Sequence, residues 1–296
     1  MIIGSQQELL DFVASDIKKN EGISFPLKAS HVERFLIRKL PVGVLHPNPD
    51  DEFSIPEVGP SFRIINDYRE LMRQHRWECK KLIDERLVVE KMAPSGYLII
   101  NGHHRWSAAM LERVGWVPVE IVNLTHNEDL HHMLDQTTRN KRVAFDLDEV
   151  IFATDKQEMV EKTAARFRCL FYSEKIKVGR AALVNALHKM GYDVWVYTRG
   201  YHSTDYIEKL FDCYNFKVDG IINGVGDMRD YKHDESIREK IERKYLLSLH
   251  IDNEQVTFID KKTREFVKHP IEGEKNEWSR QVLAIINSIE GEYGCD

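Results

Sequence analysis

The first third of the chain shows apolar residues at both helical and strand spacing. Ser5 and Glu8 have the spacing of a capping box, which predicts a first helix that runs to about Lys19. Residues 35–45 are rich in Leu, Ile and Val, which is typical of a strand. The patterns that follow predict a helix over 64–85, strands over 87–92 and 97–100, a helix over 106–114 and a strand over 117–122.

Beyond residue 140, short apolar runs alternate with stretches of helical periodicity. This alternation is typical of βαβ units on a parallel sheet and indicates the α/β class. The polar stretch 135–141 separates it from the earlier part, so we expect domains over 1–138 and 141–296. The expected strands are 143–145, 194–197, 220–222 and 249–251, and the expected helices are 160–167, 180–190, 206–214 and 237–247.

Composition limits the classes of function. The chain has 296 residues, which suits two domains, and a net charge of −6 provides no global basic field for duplex DNA. Its four cysteines form no CxxC pair, and no apolar run approaches the roughly 18 residues of a membrane span. We therefore expect a cytoplasmic protein with reduced thiols and no membrane partner.

Two carboxylates end the apolar run at 143–145. Asp146 and Asp148 are two residues apart, so on a strand their side chains point the same way and can converge on one centre. Adjacent like charges are unfavourable unless a cation or a shared proton offsets them. This pair indicates a divalent metal, most plausibly Mg²⁺, although two solvated acids at a strand end are the simpler alternative.

Three further elements follow in order. The run 194–197 ends at Thr198-Arg-Gly200, a basic residue comes next, and the run 249–251 ends at Asp252. Lys232 is the first choice for the basic residue, with Lys240 and Lys244 as alternatives. Asp260 is the alternative to Asp252.

Together with Asp146-Leu-Asp-Glu-Val150, these elements resemble the haloacid dehalogenase (HAD) superfamily over about residues 141–290. The resemblance implies a Rossmann-like fold with a small cap. It also implies a Mg²⁺-dependent phosphatase for a phosphorylated small molecule or nucleotide.

The implied roles agree with the chemistry of phosphate esters. Asp146 would be the nucleophile that forms an aspartyl-phosphate, and Asp148 the general acid and base. Thr198 and Lys232 would hold the phosphoryl oxygens. Mg²⁺ would be bound by Asp146, Asp252 and the main-chain carbonyl of Asp148.

A second candidate site lies at Asn101-Gly-His-His-Arg105, between a predicted strand and a predicted helix. Free N–H groups at a helix N-terminus favour anions, and Gly102 allows a close approach of the backbone. His103, His104 and Arg105 would add donors to a phosphate. Two histidines that cap or pack locally are the alternative.

This segment resembles the ParB/sulfiredoxin superfamily over about residues 35–125. The resemblance implies an α+β domain that binds ATP or another nucleotide through residues 101–105. The motif is most similar to that of the free serine kinases, with Asn101 in place of an aspartate. Glu52 is then the best candidate for a general base, and a solvated acidic loop is the alternative.

The leading hypothesis is a phosphatase fused to a nucleotide-binding domain, which one interpretation makes a kinase. A second hypothesis is a nucleic-acid end-processing enzyme, for which the basic residues between 73 and 86 would supply the contact. A third makes the N-terminal domain a nucleotide sensor that regulates the phosphatase.

Overall fold

The computed structural model describes residues 3–155, 158–163, 169, 172–224, 235–260, 263–272 and 277–293, with backbone alone for 235–238 and 293. The chain divides into two compact units, Met1–Asn123 and Leu124–Asp296. Each unit contains a mixed arrangement of helices and strands, which confirms the predicted α/β class. No helix in the described ranges is long and apolar enough to cross a membrane.

The first unit begins with the predicted capped helix. The Ser5 hydroxyl accepts a hydrogen bond from the main-chain N–H of Glu8, and the Glu8 carboxylate accepts one from the main-chain N–H of Ser5. The helices of this unit are α1 Gln6–Asn20, α2 His31–Leu36, α3 Phe62–Trp77 and α4 His103–Leu111. Its strands are β1 Phe25–Pro26, β2 Lys39–Pro41, β3 Leu45–His46, β4 Leu87–Ala93, β5 Tyr97–Asn101 and β6 Trp116–Val122.

Two expectations for this unit were wrong in part. Residues 35–45 do not form one strand, because Ser30 caps a short helix by accepting from the N–H of Glu33, and β2 and β3 follow as separate pieces. Helix α3 ends at Trp77 rather than near 85, and Cys79 just beyond it has φ of 53°, which a helix cannot continue. The sheet order is β2-β6-β4-β5-β3, with β1 paired to β4.

The second unit carries the alternating elements. Its helices are α5 Asn127–Gln136, α6 Arg180–Lys189, α7 Thr204–Asp212, α8 Glu235–Lys244 and α9 Trp278–Tyr293. Its strands are β7 Lys141–Asp146, β8 Tyr192–Thr198, β9 Gly220–Asn223, β10 Leu247–Ile251, β11 Gln255–Ile259 and β12 Phe266–Pro270. The sequence analysis missed α5, β11, β12 and α9.

The sheet of the second unit has the order β12-β11-β10-β7-β8-β9. Strands β10, β7, β8 and β9 are parallel, whereas β11 and β12 return antiparallel beside β10. Phe145 and Val196 on one face of the sheet and Ala144 and Trp195 on the other are almost fully buried, as expected for parallel strands covered on both faces. All the carboxyl ends of the parallel strands therefore lie at one edge of the sheet.

The insert between β7 and α6 is small and irregular. Isolated bridges join Phe152 to Ile176 and Val160 to Lys177. The helix expected over 160–167 is absent from residues 160–163, and residues 164–167 lie outside the described residues. From Phe152 to Gly179 the described residues contain no α-helix and no strand beyond these two bridges. The small cap that the resemblance implies stays a prediction.

Helix α5 belongs to the second unit, although the predicted boundary placed it in the first domain. Leu130 and Leu134 are buried in a cluster with Trp195 of β8 and with Tyr245, which precedes β10. Just after α5, Arg139 donates to Asp193 at 3.2 Å. The polar stretch that suggested a linker is thus attached to the second sheet.

We predict that a fragment 124–296 is more stable than a fragment 141–296. Removal of α5 loses the burial of Leu130 and Leu134, each worth about 1.5–3 kcal/mol, so the shorter fragment should lose roughly 3–6 kcal/mol in its free energy of unfolding. Urea unfolding of both fragments measures this difference. Equal unfolding midpoints would show that α5 is dispensable.

Candidate functional site

The first candidate site lies at the carboxyl edge of the second sheet. Asp146 ends β7 and pairs with Tyr197, one residue before Thr198 on β8. On the other side, Phe145 pairs with Ile251, so Asp146 and Asp252 occupy equivalent positions on neighbouring strands. Neighbouring strands are about 4.8 Å apart, and the register thus places all three predicted residues at one edge.

Asp148 and Thr198 are in direct contact. After β7, residues Leu147–Ile151 form a single π-helical turn, which places Asp148 beside the end of β8. The Thr198 hydroxyl donates to Oδ2 of Asp148 at 2.6 Å and accepts from the N–H of Gly200 at 2.8 Å. Thr198 is buried, so its hydroxyl is oriented by these two bonds.

The carboxyl group of Asp146 is held by the same turn, because its Oδ1 accepts from the N–H of Glu149 at 2.8 Å. Burial raises the pKa of Asp146 above its ordinary value, and the charges of Glu149 and Asp148 raise it further. A raised pKa means that the ionised carboxylate is poorly stabilised by its surroundings. A cation or an electrophile at this position would stabilise it.

Asp252 closes the turn between β10 and β11. Its Oδ1 accepts from the N–H groups of Glu254 and Gln255, each at 2.8 Å, and its Oδ2 accepts from Nε2 of Gln255 at 3.2 Å. These three hydrogen bonds hold the carboxylate of Asp252 in place at this edge of the sheet.

The oxygen groups at this edge fit Mg²⁺ in chemical kind. Two carboxylates, from Asp146 and Asp252, and the main-chain carbonyl of Asp148 are the hard ligands that Mg²⁺ prefers. The described residues contain no group of three or more His, Cys, Asp or Glu side chains that could hold a metal ion. The predicted magnesium site stays a prediction.

Asp260 is the wrong alternative to Asp252 because of strand direction. It follows β11, which is antiparallel to β10, so it lies at the opposite edge of the sheet. There its main-chain N–H and carbonyl bond to Glu265 and Arg264 in the turn before β12.

The predicted phosphate-binding lysine, Lys232, lies outside the described residues. The alternatives on α8 are engaged elsewhere: Lys240 bonds to Nδ1 of His131 at 2.9 Å, and Lys244 donates to the carbonyl of Thr137. Sequence reasoning missed Arg199, an exposed cation directly after Thr198 that has no hydrogen bond or ion pair with the described residues. The signal that the sequence offered for Arg199 was its position directly after Thr198.

The second candidate site is the N-terminus of α4. Gly102 caps this helix with φ of 105°, in the left-handed region, and a Cβ there would lie 3.1 Å from Cγ of Leu87. The helix begins at His103, earlier than the sequence indicated, so His103, His104 and Arg105 form its first turn.

The two histidines hold the segment that follows β3. Nε2 of His103 accepts from the N–H of Asn48, and Nε2 of His104 accepts from the N–H of Ser61, both at 3.1 Å. The ring of Phe53 stacks on His103 with centroids 5.2 Å apart. Burial lowers the pKa of His103 to about 4 and also lowers the pKa of His104, so both rings are neutral at pH 7.

Arg105 is likewise paired within the unit. Its guanidinium donates to Glu85 at 2.7 Å and to Oδ1 of Asn101 at 3.1 Å. The side chains predicted to bind a phosphate therefore organise the surrounding chain, and the main-chain N–H groups of the helix end are the remaining donors for an anion. The nucleotide-binding role of residues 101–105 stays a prediction.

Glu52, the predicted general base, lies in the segment that His103 and His104 hold. Its side chain is exposed, whereas the neighbouring Asp51 faces His103, with Oδ2 3.5 Å from Nδ1. Asp51, which sequence reasoning missed, is therefore the acid that faces the motif, whereas the side chain of Glu52 is exposed.

The basic run proposed for nucleic acid is largely neutralised. Arg73 pairs with Glu112 at 2.7 Å, Arg76 donates to the Glu112 carbonyl at 3.1 Å, and Lys80 pairs with Glu78 at 2.7 Å. Arg73 and Lys80 are thus paired with acids, which is typical of a solvated surface.

No protein-family model and no curated protein matches the chain. Among solved structures, it is similar to the C-terminally truncated chromosome-partitioning protein ParB from Caulobacter crescentus complexed with CTP-gamma-S. That match has 23% identity and a TM-score of 0.24, and it covers 35% of this chain and 55% of that chain. So weak a similarity establishes no shared function or ligand. The HAD resemblance of the second unit stays a prediction.

We predict that the first unit loses stability in acid through His103. Its folded pKa of about 4 lies below the ordinary 6.5. Between these values the unfolded chain binds a proton that the folded chain does not, so the free energy of unfolding falls as the pH drops from 6.5 to 4. The loss should reach about 3 kcal/mol, measured by urea unfolding across this range.

His103→Gln removes the titrating group and should flatten the profile, whereas His132→Gln on the exposed surface of α5 should leave it unchanged. An equally steep profile in His103→Gln would contradict the role of His103.

Proposed function

We propose that the second unit is a Mg²⁺-dependent phosphomonoester hydrolase that acts through an aspartyl-phosphate. The observation that carries this proposal is the 2.6 Å hydrogen bond from Thr198 to Asp148. It joins the carboxyl ends of β7 and β8, where the nucleophile, the acid and the hydroxyl of such an enzyme are needed. The common edge with Asp252 supports the same chemistry.

In the first step, the carboxylate of Asp146 attacks phosphorus and the bond from phosphorus to the leaving oxygen breaks. Asp148 in its acid form gives its proton to that oxygen, so the product leaves as an alcohol. The Thr198 hydroxyl holds Asp148 in place, and main-chain N–H groups of the π-helical turn orient Asp146.

In the second step, Asp148, now a carboxylate, takes a proton from water as the water oxygen attacks the phosphorus. The bond from phosphorus to Asp146 breaks, which releases inorganic phosphate and restores Asp146 as a carboxylate and Asp148 as an acid. Asp146, Asp252 and the Asp148 carbonyl would hold Mg²⁺, which supplies positive charge beside the phosphoryl oxygens.

The test is phosphate release from a panel of sugar phosphates, nucleotides and phosphorylated oligonucleotides with Mg²⁺. Asp146→Asn should lower kcat at least about a thousandfold because the nucleophile is lost. Thr198→Val should lower it about a hundredfold, and Thr198→Ser should restore most of the rate because the hydroxyl returns.

Asp135→Asn, an exposed acid on α5, is the matched control and should retain full activity. Unchanged phosphate release in Asp146→Asn would refute the assignment of the nucleophile.

For the first unit, we propose that ATP or another nucleotide binds with a phosphate at the N-terminus of α4. The left-handed Gly102 and the free N–H groups that follow it support this proposal. The bound nucleotide has two candidate roles. A kinase consumes it, whereas a site that regulates the phosphatase binds it without turnover.

Nucleotide binding is tested by calorimetric titration of the full chain with ATP and CTP. Gly102→Ala strains the left-handed cap and should weaken binding at least about tenfold. Gly115→Ala is the control, because a Cβ at Gly115 meets open space. Equal affinities in the two variants, with both folded by circular dichroism, would overturn the assignment of this helix end.

A further inference from the structure

Four ring side chains form an aromatic cluster in the second unit: Phe152, Tyr172, His202 and Tyr206. The rings of His202 and Tyr206 are nearly parallel, at 13° with centroids 5.8 Å apart, and Phe152 meets His202 edge-on at 5.7 Å. Tyr172 adjoins Tyr206 with centroids 4.9 Å apart. Phe152 is buried, whereas the other three rings are only partly buried, so the cluster keeps an accessible surface.

The aromatic cluster adjoins the candidate phosphoryl site. A Cβ placed on Gly200 would lie 3.0 Å from the Thr198 hydroxyl and 3.1 Å from Cδ2 of His202, so these two groups face each other across the missing side chain. Phe152 is tied to the same turn as Asp148, because its N–H donates to the carbonyl of Leu147 at 2.9 Å. The rings thus flank the hydroxyl and the proposed acid.

A carboxylate lies at the far side of the cluster. Glu174 accepts hydrogen bonds from the hydroxyl of Tyr206 and from the hydroxyl of Ser173, the latter at 2.8 Å. Although burial opposes ionisation, these bonds and His202 lower the pKa of Glu174, so it is a carboxylate at neutral pH. An ionised acid beside partly exposed rings can accept hydrogen bonds from hydroxyl or amino groups of a ligand.

Resting on the proposed function, we propose that the aromatic cluster binds the leaving group and that the substrate is a nucleoside phosphomonoester. Its base stacks on His202, and its hydroxyl or amino groups donate to Glu174. A nucleoside combines the flat ring that the cluster accommodates with the donors that Glu174 accepts. Its sugar provides the spacing between a base at His202 and a phosphate at Asp146.

A free nucleotide and the phosphorylated end of a nucleic acid share this chemistry. The described residues around the cluster and the adjacent turn include three acids, Glu149, Asp155 and Glu174, and three cations, Lys175, Lys177 and Arg199, so they provide no excess of positive charge for a polyanion. We therefore expect the free nucleotide to be the better substrate.

The test compares kcat/KM for AMP, for ribose 5-phosphate and for a short oligonucleotide with a 5′-phosphate. AMP should exceed ribose 5-phosphate by at least about tenfold, as expected for one base stacked on an aromatic side chain. His202→Ala should abolish most of this ratio, and His202→Phe should retain it because the flat ring remains. His132→Ala, on the exposed face of α5, is the control that should leave the ratio unchanged.

Equal kcat/KM for AMP and ribose 5-phosphate in the parent chain would overturn this inference and leave the phosphatase proposal intact. An equal ratio of kcat/KM for AMP to kcat/KM for ribose 5-phosphate in His202→Ala and in the parent chain would also overturn this inference. No hydrolysis of any of the three substrates would overturn the phosphatase proposal and the inference with it. A higher kcat/KM for the oligonucleotide than for AMP would assign the site to nucleic-acid ends.

Discussion

The parallel pairing of β7 with β8 and β10 is the constraint on which the second unit depends. Register fixes Asp146 opposite Tyr197 and aligns Phe145 with Ile251, so the residue that ends each strand has a defined neighbour. Because all three strands run the same way, their ends meet at one edge. A single reversal would move a side chain to the other end of the sheet, as it does for Asp260 after β11.

The two candidate sites use their polar groups in opposite ways. At the sheet edge, Asp146 carries a raised pKa, so the charge at that position is incompletely compensated by the protein. At the N-terminus of α4, the histidines accept main-chain hydrogen bonds and Arg105 pairs with Glu85, so the local charge is already satisfied. An uncompensated carboxylate is what a nucleophile beside a metal requires, whereas a satisfied cluster stabilises the loop that it holds.

The sequence predicted those features that depend on local periodicity. The capping box of α1 and the central strands of both sheets followed from residue spacing and from apolar runs. The HAD resemblance assigned Asp148 and Thr198 to one site, and the hydrogen bond between them was not predicted. Features that depend on distant partners were missed. Helix α5 was not predicted because its apolar stripe is short, and its Leu130 and Leu134 are buried only by packing against residues of the second unit that are distant in sequence. His103 and His104 looked like phosphate ligands because the main-chain N–H groups that donate to them, those of Asn48 and Ser61, are 55 and 43 residues away in the sequence.

The central claim is that Asp146 becomes phosphorylated during turnover. The most direct measurement is mass spectrometry of acid-quenched Asp148→Asn protein after reaction with a hydrolysed substrate and Mg²⁺, because loss of the base slows release of the phosphoryl group. We predict one phosphoryl group per chain, on the peptide that contains Asp146. Phosphate release by the parent chain with no label on that peptide, or a label on another residue, would contradict the account.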